Sequence, residues 1–256
     1  MCFKRNLWLI LSCLPLSAEL HAGTAGTLPS TYAGLWAGFG GSYIYSQVGG
    51  NTNITMVSST PATVEYLLNQ NLKNHLAPLV NVGYLFDLKN DWYLGAKVLY
   101  KYIGVEQFDQ SWSGTFQNGA YQSAGLHTKL RQDLSLLLNG GYQFGSWLVY
   151  GGIGPAMVDV AAELNAEILA PTSTTFQPVN TTHSKYLWGG AAQVGFEYML
   201  PNRFMVDVSY NFLASSKQTL PTIRLQSGTA GLYTAFSQQV HVTEQGINVT
   251  INKYFG

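Results

Sequence analysis

The chain has 256 residues with 13 basic and 13 acidic side chains, so its formal net charge is zero and nothing in it suggests a nucleic-acid partner. Charged residues are 10% of the chain, against about 25% in ordinary soluble domains, and aromatics are 13%. Yet no continuous apolar run in the body of the sequence reaches the ~20 residues a spanning helix needs. A chain too uncharged for water and too interrupted for spanning helices fits a membrane β-barrel, whose signal is weak in each segment.

The N-terminus reads as an export signal. Lys4 and Arg5 form a short basic region, Leu7 to Leu16 is mostly apolar, and small residues follow up to Ala22. This pattern predicts a Sec-type signal peptide over 1–22, removed on export, then a short N-terminal segment over 23–31 on the periplasmic side. Cys2 and Cys13 both fall in the segment to be removed. The mature chain is then expected to hold no disulfide, thiolate metal site or cysteine nucleophile.

From residue 32 to 256 the pattern is one barrel. Eight strands are expected, at Tyr32–Gln47, His75–Leu88, Trp92–Gln107, Leu126–Phe144, Trp147–Leu164, His183–Leu200, Arg203–Ser216 and Gln239–Phe255. Alternation is clean in several. In the third, Trp92, Leu94, Ala96, Val98, Tyr100 and Tyr102 oppose Lys97 and Lys101. In the fourth, Leu130, Gln132, Leu134, Leu136 and Leu138 oppose Lys129, Arg131, Asp133, Ser135 and Asn139. In the sixth, Tyr186, Trp188, Ala192, Val194, Phe196 and Tyr198 oppose Lys185, Gln193 and Glu197. In the seventh, Phe204, Val206, Val208, Tyr210 and Phe212 oppose Asp207, Ser209 and Asn211. The fifth is weakest, because Gly151, Gly152, Gly154 and Pro155 interrupt it.

The connections alternate in length. Lys89-Asn90-Asp91, Gly145-Ser146 and Pro201-Asn202 read as tight turns. The segments near 48–74, 108–125, 165–182 and 217–238 read as long loops. Short periplasmic turns alternating with long outer loops are the layout of a transmembrane barrel, and an even strand count puts both termini in the periplasm. Aromatics crowd the tight turns: Tyr84, Phe86, Trp92, Tyr142, Phe144, Trp147, Tyr198 and Phe204 predict a girdle at the periplasmic interface.

With the apolar faces toward lipid, the inward set includes Lys97, Lys101, Lys129, Arg131, Asp87, Asp133, Glu197, Asp207 and Glu244. Buried charges persist only when paired and hydrogen-bonded, so these predict an internal network that plugs the lumen. Inward glycines such as Gly83 and Gly195 either leave room for a narrow polar path or make space for bulky partners such as Trp36.

The last strand carries Ile247, Val249, Ile251, Lys253 and Phe255 on one face and Glu244, Gly246, Asn248, Thr250 and Asn252 on the other. A terminal strand with apolar alternation and a closing Phe resembles the assembly signal of Gram-negative outer-membrane β-barrels. The whole mature region resembles the eight-stranded members of that class: the OmpA transmembrane domain, the OmpX, Ail and opacity-type proteins, and OmpW. The resemblance implies an all-β, antiparallel, up-and-down barrel in the outer membrane with four long extracellular loops. It implies contact with outer-membrane lipid and lipopolysaccharide, and with the barrel-assembly machinery through the last strand.

The chemistry-bearing residues are few. His75, His127, His183 and His241 each sit near the loop end of a strand. A Ser–His pair on one strand face needs a spacing of two, and no His-x-Ser occurs. No phosphate loop, zinc cluster or calcium loop is present, so no cofactor and no metal site is expected. The sequence favours a non-enzymatic surface protein whose loops meet host or surface ligands or maintain the envelope. A narrow channel for small solutes comes second, and a lipid-modifying enzyme third.

Overall fold

The structure, a computed structural model, describes residues 33–57, 62–69, 73–88, 90–115, 121–169, 177–226 and 233–255. The segments expected as a signal peptide and N-terminal extension lie outside these residues. Eleven strands form one antiparallel sheet: β1 (Gly34–Val57), β2 (Ala62–Asn69), β3 (Lys73–Asp87), β4 (Trp92–Thr115), β5 (Tyr121–Phe144), β6 (Trp147–Leu169), β7 (Gln177–Met199), β8 (Phe204–Ser215), β9 (Gln218–Thr219), β10 (Ile223–Gln226) and β11 (Tyr233–Tyr254). Eight of them, β1, β3, β4, β5, β6, β7, β8 and β11, pair in a closed ring. The seam is β1 against β11, from Trp36 opposite Tyr254 to Val57 opposite Tyr233. Closure removes sheet edges, as a barrel in lipid requires.

The three tight turns follow from their residues. Asn90 and Asp91 both take positive φ (53° and 65°), as a primed hairpin turn demands. Gly145 supplies φ 62° at the next turn, and Asn202 and Arg203 (63° and 61°) do so after Pro201. All three lie at one end of the barrel.

Through the middle of the barrel the strands are apolar outside and largely polar inside. Along β11, Ile247, Val249 and Ile251 are exposed while Asn248, Thr250 and Asn252 are buried. The outward aromatics span, on β7, from Tyr198 to Tyr186; at 3.3 Å per residue and a tilt near 40° this is a belt ~30 Å tall. An apolar exterior of this height on a closed ring is the transmembrane face of an outer-membrane-type barrel.

The strands do not stop at the belt. They run on through most of the segments expected as long loops, and their polarity inverts. On β11 the outer face becomes Gln245, Thr243, His241, Gln239 and Ser237, while Val242, Val240 and Phe236 turn inward and are buried. On β1, Gln47, Asn51 and Asn53 take the outer face as Ile44, Val48 and Ile54 enter the core. On β11 the ten residues 236–245 add ~25 Å of wall beyond the membrane.

The ring also splits there. β3 pairs with β4 only up to Leu79 opposite Lys101, and β7 with β8 only up to Gly189 opposite Ser215. Above those points β4–β5–β6–β7 form one sheet, and β2, β1, β11, β10 and β9 form a second. Among the described residues no ladder joins β2 to β4 or β7 to β9 and β10. Leu126, Leu130, Val160 and Leu164 of the first sheet pack in one apolar cluster with Val48, Ile54, Ile223, Phe236 and Val240 of the second. The part outside the membrane is thus a small sandwich, here called the head, with the polarity of a soluble protein. Pro78, which has no N–H to give a ladder, lies where β3 leaves β4, and Gly104 (φ 83°) lies where β4 bulges away.

Candidate functional site

The barrel interior is built in three layers. At the tight-turn end Trp36, Leu85, Tyr93, Leu148, Met199, Met205 and Tyr254 form an apolar floor. At the top lies the apolar core of the head. Between them is a charged layer with almost no exposure to solvent.

Two ion-pair groups occupy that layer. Lys97 Nζ lies 2.8 Å from Asp207 Oδ2 and donates to Tyr150 Oη at 3.2 Å. Tyr150 donates in turn to Asp207 Oδ1 at 2.8 Å. The Lys97 ammonium also stands 5.3 Å from the Trp36 ring centroid, within cation–π range. Glu197 stands directly opposite Asp207 in the β7–β8 ladder. The second group is centred on Lys101, which lies 2.7 Å from Asp133 Oδ2 and pairs with Glu244. Asn211, with its amide oxygen turned to Lys101 Nζ at 3.1 Å, completes it. Gln193 donates to Ser209 Oγ at 2.6 Å between the groups. Six ionisable side chains (Lys97, Lys101, Asp133, Glu197, Asp207, Glu244) are each at most 3% exposed. Lys97 with Asp207, and Lys101 with Asp133 and Glu244, hold their charges away from water by pairing, and the Lys97–Asp207 and Lys101–Glu244 pairs crosslink strands from opposite walls.

Two of the inward glycines stand beside bulky side chains. A Cβ at Gly83 would stand 2.6 Å from the Trp36 ring and 2.8 Å from Ala96 O. One at Gly195 would stand 2.9 Å from Tyr150 Oη. Each glycine is small because a large partner fills the space beside it.

Of the nine side chains expected in the lumen, these six share the charged layer. Lys129, Arg131 and Asp87 do not. The register between β5 and β6 shifts between Leu130, opposite Val160, and Gln132, opposite Asp159. Arg131 is therefore an extra residue in β5, and the strand's faces exchange across it. Lys129 is carried to the outer wall, where it pairs with Glu163, the two being 22% and 29% exposed. This hydrogen bond holds the Glu163 carboxyl below its usual range. Arg131 is half-buried at the bulge, and Asp87 is exposed at the turn end of β3. Tyr150 was not foreseen, because the glycines around it obscured the faces of β6. Ser209 and Asn211 lie on the inward face with Asp207, where the alternation places them.

The eight aromatics expected in the girdle all point outward. Trp92 meets Tyr142 with ring centroids 5.3 Å apart, Trp147 meets Tyr198 at 4.6 Å, and Tyr84 meets Phe86 at 4.5 Å. Phe144 is exposed beside them, and Lys253 Nζ sits 4.3 Å from the Phe204 centroid. Ile247, Val249 and Ile251 are exposed on the seam strand, and Phe255 N donates to Leu35 O at 2.9 Å, fastening the end of the chain to β1. His75, His127, His183 and His241 fall on four different strands, β3, β5, β7 and β11.

No protein-family model matches the chain, and no curated protein matches it. Solved structures do. OprG of Pseudomonas aeruginosa, an outer-membrane protein, is 11% identical over 87% of this chain and 96% of its own, with a TM-score of 0.44. Neisserial surface protein A is 9% identical over 87% and 98%, with a TM-score of 0.37. The attachment invasion locus protein Ail of Yersinia pestis is 12% identical over 80% and 98%, with a TM-score of 0.31.

Proposed function

We propose that this eight-stranded barrel of the outer-membrane type is a surface-contact protein: the barrel is a closed anchor and the head is the working part. The observation that carries this reading is the inversion of polarity along the strands. It lifts a packed, polar-walled sandwich well clear of the lipid, while the charged layer fills the lumen below. Binding commonly lives on segments presented outside a rigid scaffold. Residues 221–236, which a loop reading would treat as dispensable, include Ile223 and Phe236 of the head core. A fair test therefore leaves the core intact and changes the outer wall. Cells displaying the protein are expected to attach to host or bacterial surfaces more than cells without it. Replacing Asn51, Gln239 and Thr243 together by Lys is expected to reduce that attachment without changing the heat-dependent gel mobility of the barrel. The competing reading is a narrow solute channel. Reproducible conductance steps in a planar bilayer, altered by neutralising Lys101 and Glu197, together with no gain in attachment, would replace the surface reading with it.

A further inference from the structure

The two places where the head splits are not equivalent. Along the first, the strand segments 62–69, 73–78 and 102–115 carry the acids Glu65, Glu106 and Asp109 beside Lys73 and His75. Along the second, segments 177–188 and 214–226 carry His183, Lys185, Lys217 and Arg224 and no acidic residue. The second split is therefore a basic cleft between the upper part of β7 and the β9–β10 side.

The β7 edge in this cleft has a readable polarity of its own. Ser216 N donates to Trp188 O at 2.8 Å, so the main-chain groups of Trp188 point across the cleft. In an antiparallel strand the N–H and C=O of one residue face the same neighbour, and alternate residues face opposite neighbours. Tyr186, Ser184, Thr182 and Asn180 therefore aim their main-chain groups into the cleft, while Leu187, Lys185 and His183 bond back to β6. Among the described residues no backbone partner meets those four from the other side. A side chain bridges the cleft above Trp188: Lys185 Nζ donates to Thr219 O at 3.0 Å. Side chains 180–186 are all partly or fully exposed on both faces, as on a strand standing at a free margin.

We propose that this edge of β7 is a docking strip for an extended, acid-bearing peptide segment of a partner protein, which joins the sheet as an added strand. A free edge takes a strand because only a strand returns its alternating donors and acceptors. The basic side chains on both banks select for carboxylates on that strand. Lys185 would exchange the Thr219 carbonyl for a ligand carboxylate, so the bridge that spans the cleft becomes its first contact. The proposal names the partner class for the surface-contact reading and rests on it.

The test is fluorescence anisotropy with the protein refolded in detergent micelles. The probe is a labelled ten-residue peptide alternating Glu with Val and Thr. Binding is expected, weakened about tenfold when alternate peptide amides are N-methylated, since that strips hydrogen bonds and keeps the charge. Ser184→Pro removes one cleft-facing N–H on an edge where proline is tolerated, and is expected to weaken binding about fivefold, with Ser184→Ala unchanged. Lys185→Gln with Lys217→Gln is expected to weaken it at least fivefold and to flatten its salt dependence. Equal binding of the N-methylated peptide, or of a sulfated oligosaccharide in its place, would reduce the cleft to a polyanion site and overturn the proposal. Self-association that rises with protein concentration and is lost in Ser184→Pro would give the edge to a second copy, which also overturns it. If Ser184→Pro leaves cell attachment at the wild-type level and the peptide does not bind, the docking strip is wrong and the surface reading stands. If wild-type cells do not attach at all, the surface reading itself fails.

Discussion

Leu130 and Asp133 lie three residues apart in β5, yet both are buried in the barrel interior, at 0% and 1% exposure. Regular alternation would set them on opposite faces. The extra residue between them, Arg131, lets one strand carry polar groups inward below and apolar groups inward above.

Deleting Arg131 brings Leu130 and Asp133 to a spacing of two and keeps both inward. The deletion is expected to cost about 1 kcal/mol or less in urea unfolding from lipid vesicles. Deleting Leu134 instead sends the rest of the strand's leucines to the wrong face and is expected to abolish the heat-modifiable folded band. A severe loss in the first variant would mean that the bend, and not the exchange of faces, is what the bulge supplies.

The Lys97–Asp207 pair is sealed from water on both sides. Asp207→Ala takes from the buried ammonium the carboxylate it is bonded to and is expected to destabilise the barrel by roughly 3–5 kcal/mol. Lys97→Met combined with Asp207→Leu is expected to recover most of that. Unfolding midpoints of the two variants measured side by side decide it, and equal losses would mean that the pair contributes net attraction well beyond its desolvation cost.

Gly83 makes room for the Trp36 ring, and a Cβ there would lie 2.6 Å from it. Gly83→Ala is expected to cost about 1–3 kcal/mol through overpacking. Trp36→Phe in the same chain should return part of it. If the double variant is no better than the single, the clash is with the Ala96 carbonyl.

Lys129 depresses the Glu163 carboxyl on the outer wall through their hydrogen bond. A carboxyl lowered in the folded state adds stability that is full above its unfolded value of about 4.3. That stability is lost as pH falls through the folded value. The pair is partly solvated, so the effect is expected to stay under about 1 kcal/mol. Lys129→Ala should raise the Glu163 titration midpoint, followed by carbon NMR of the labelled carboxyl. An unmoved midpoint would show that the pair does not persist in solution.

The membrane half of the molecule was legible because its constraint is simple. Lipid outside and ion pairs inside force a strict two-residue period, and residues such as Val206, Asp207 and Val208 announce their faces. Turn positions were legible for the same kind of reason, since Asn90, Asp91 and Gly145 take backbone angles other residues avoid. The head was not. Its outer face is Asn, Gln, Thr and Ser, which also fill loops, so segments such as Asn51–Ile54 and Gln177–Thr182 read as connections. The bulge was hidden because Leu130 extends the run Leu134, Leu136, Leu138 in apparent phase, and only the pairing partner in β6 shows that it does not belong to it. In the charged layer, the acids and lysines were readable from the strand faces, but Lys129 inherited the error of the bulge. Tyr150 was lost among glycines whose role depends on neighbours from other strands.

The exchange of polarity along each strand also fixes how deep the molecule floats. Pushed two residues inward, Gln47, Ser184 and Gln245 would take the levels of Tyr45, Tyr186 and Ile247 and enter hydrocarbon; drawn two residues outward, Leu134, Ile247 and Phe212 would meet water. The belt and the head wall thus act as a load line on a hull. The height at which Lys185 and Arg224 ride above the lipid is set by the sequence of the walls and not by any partner at the surface.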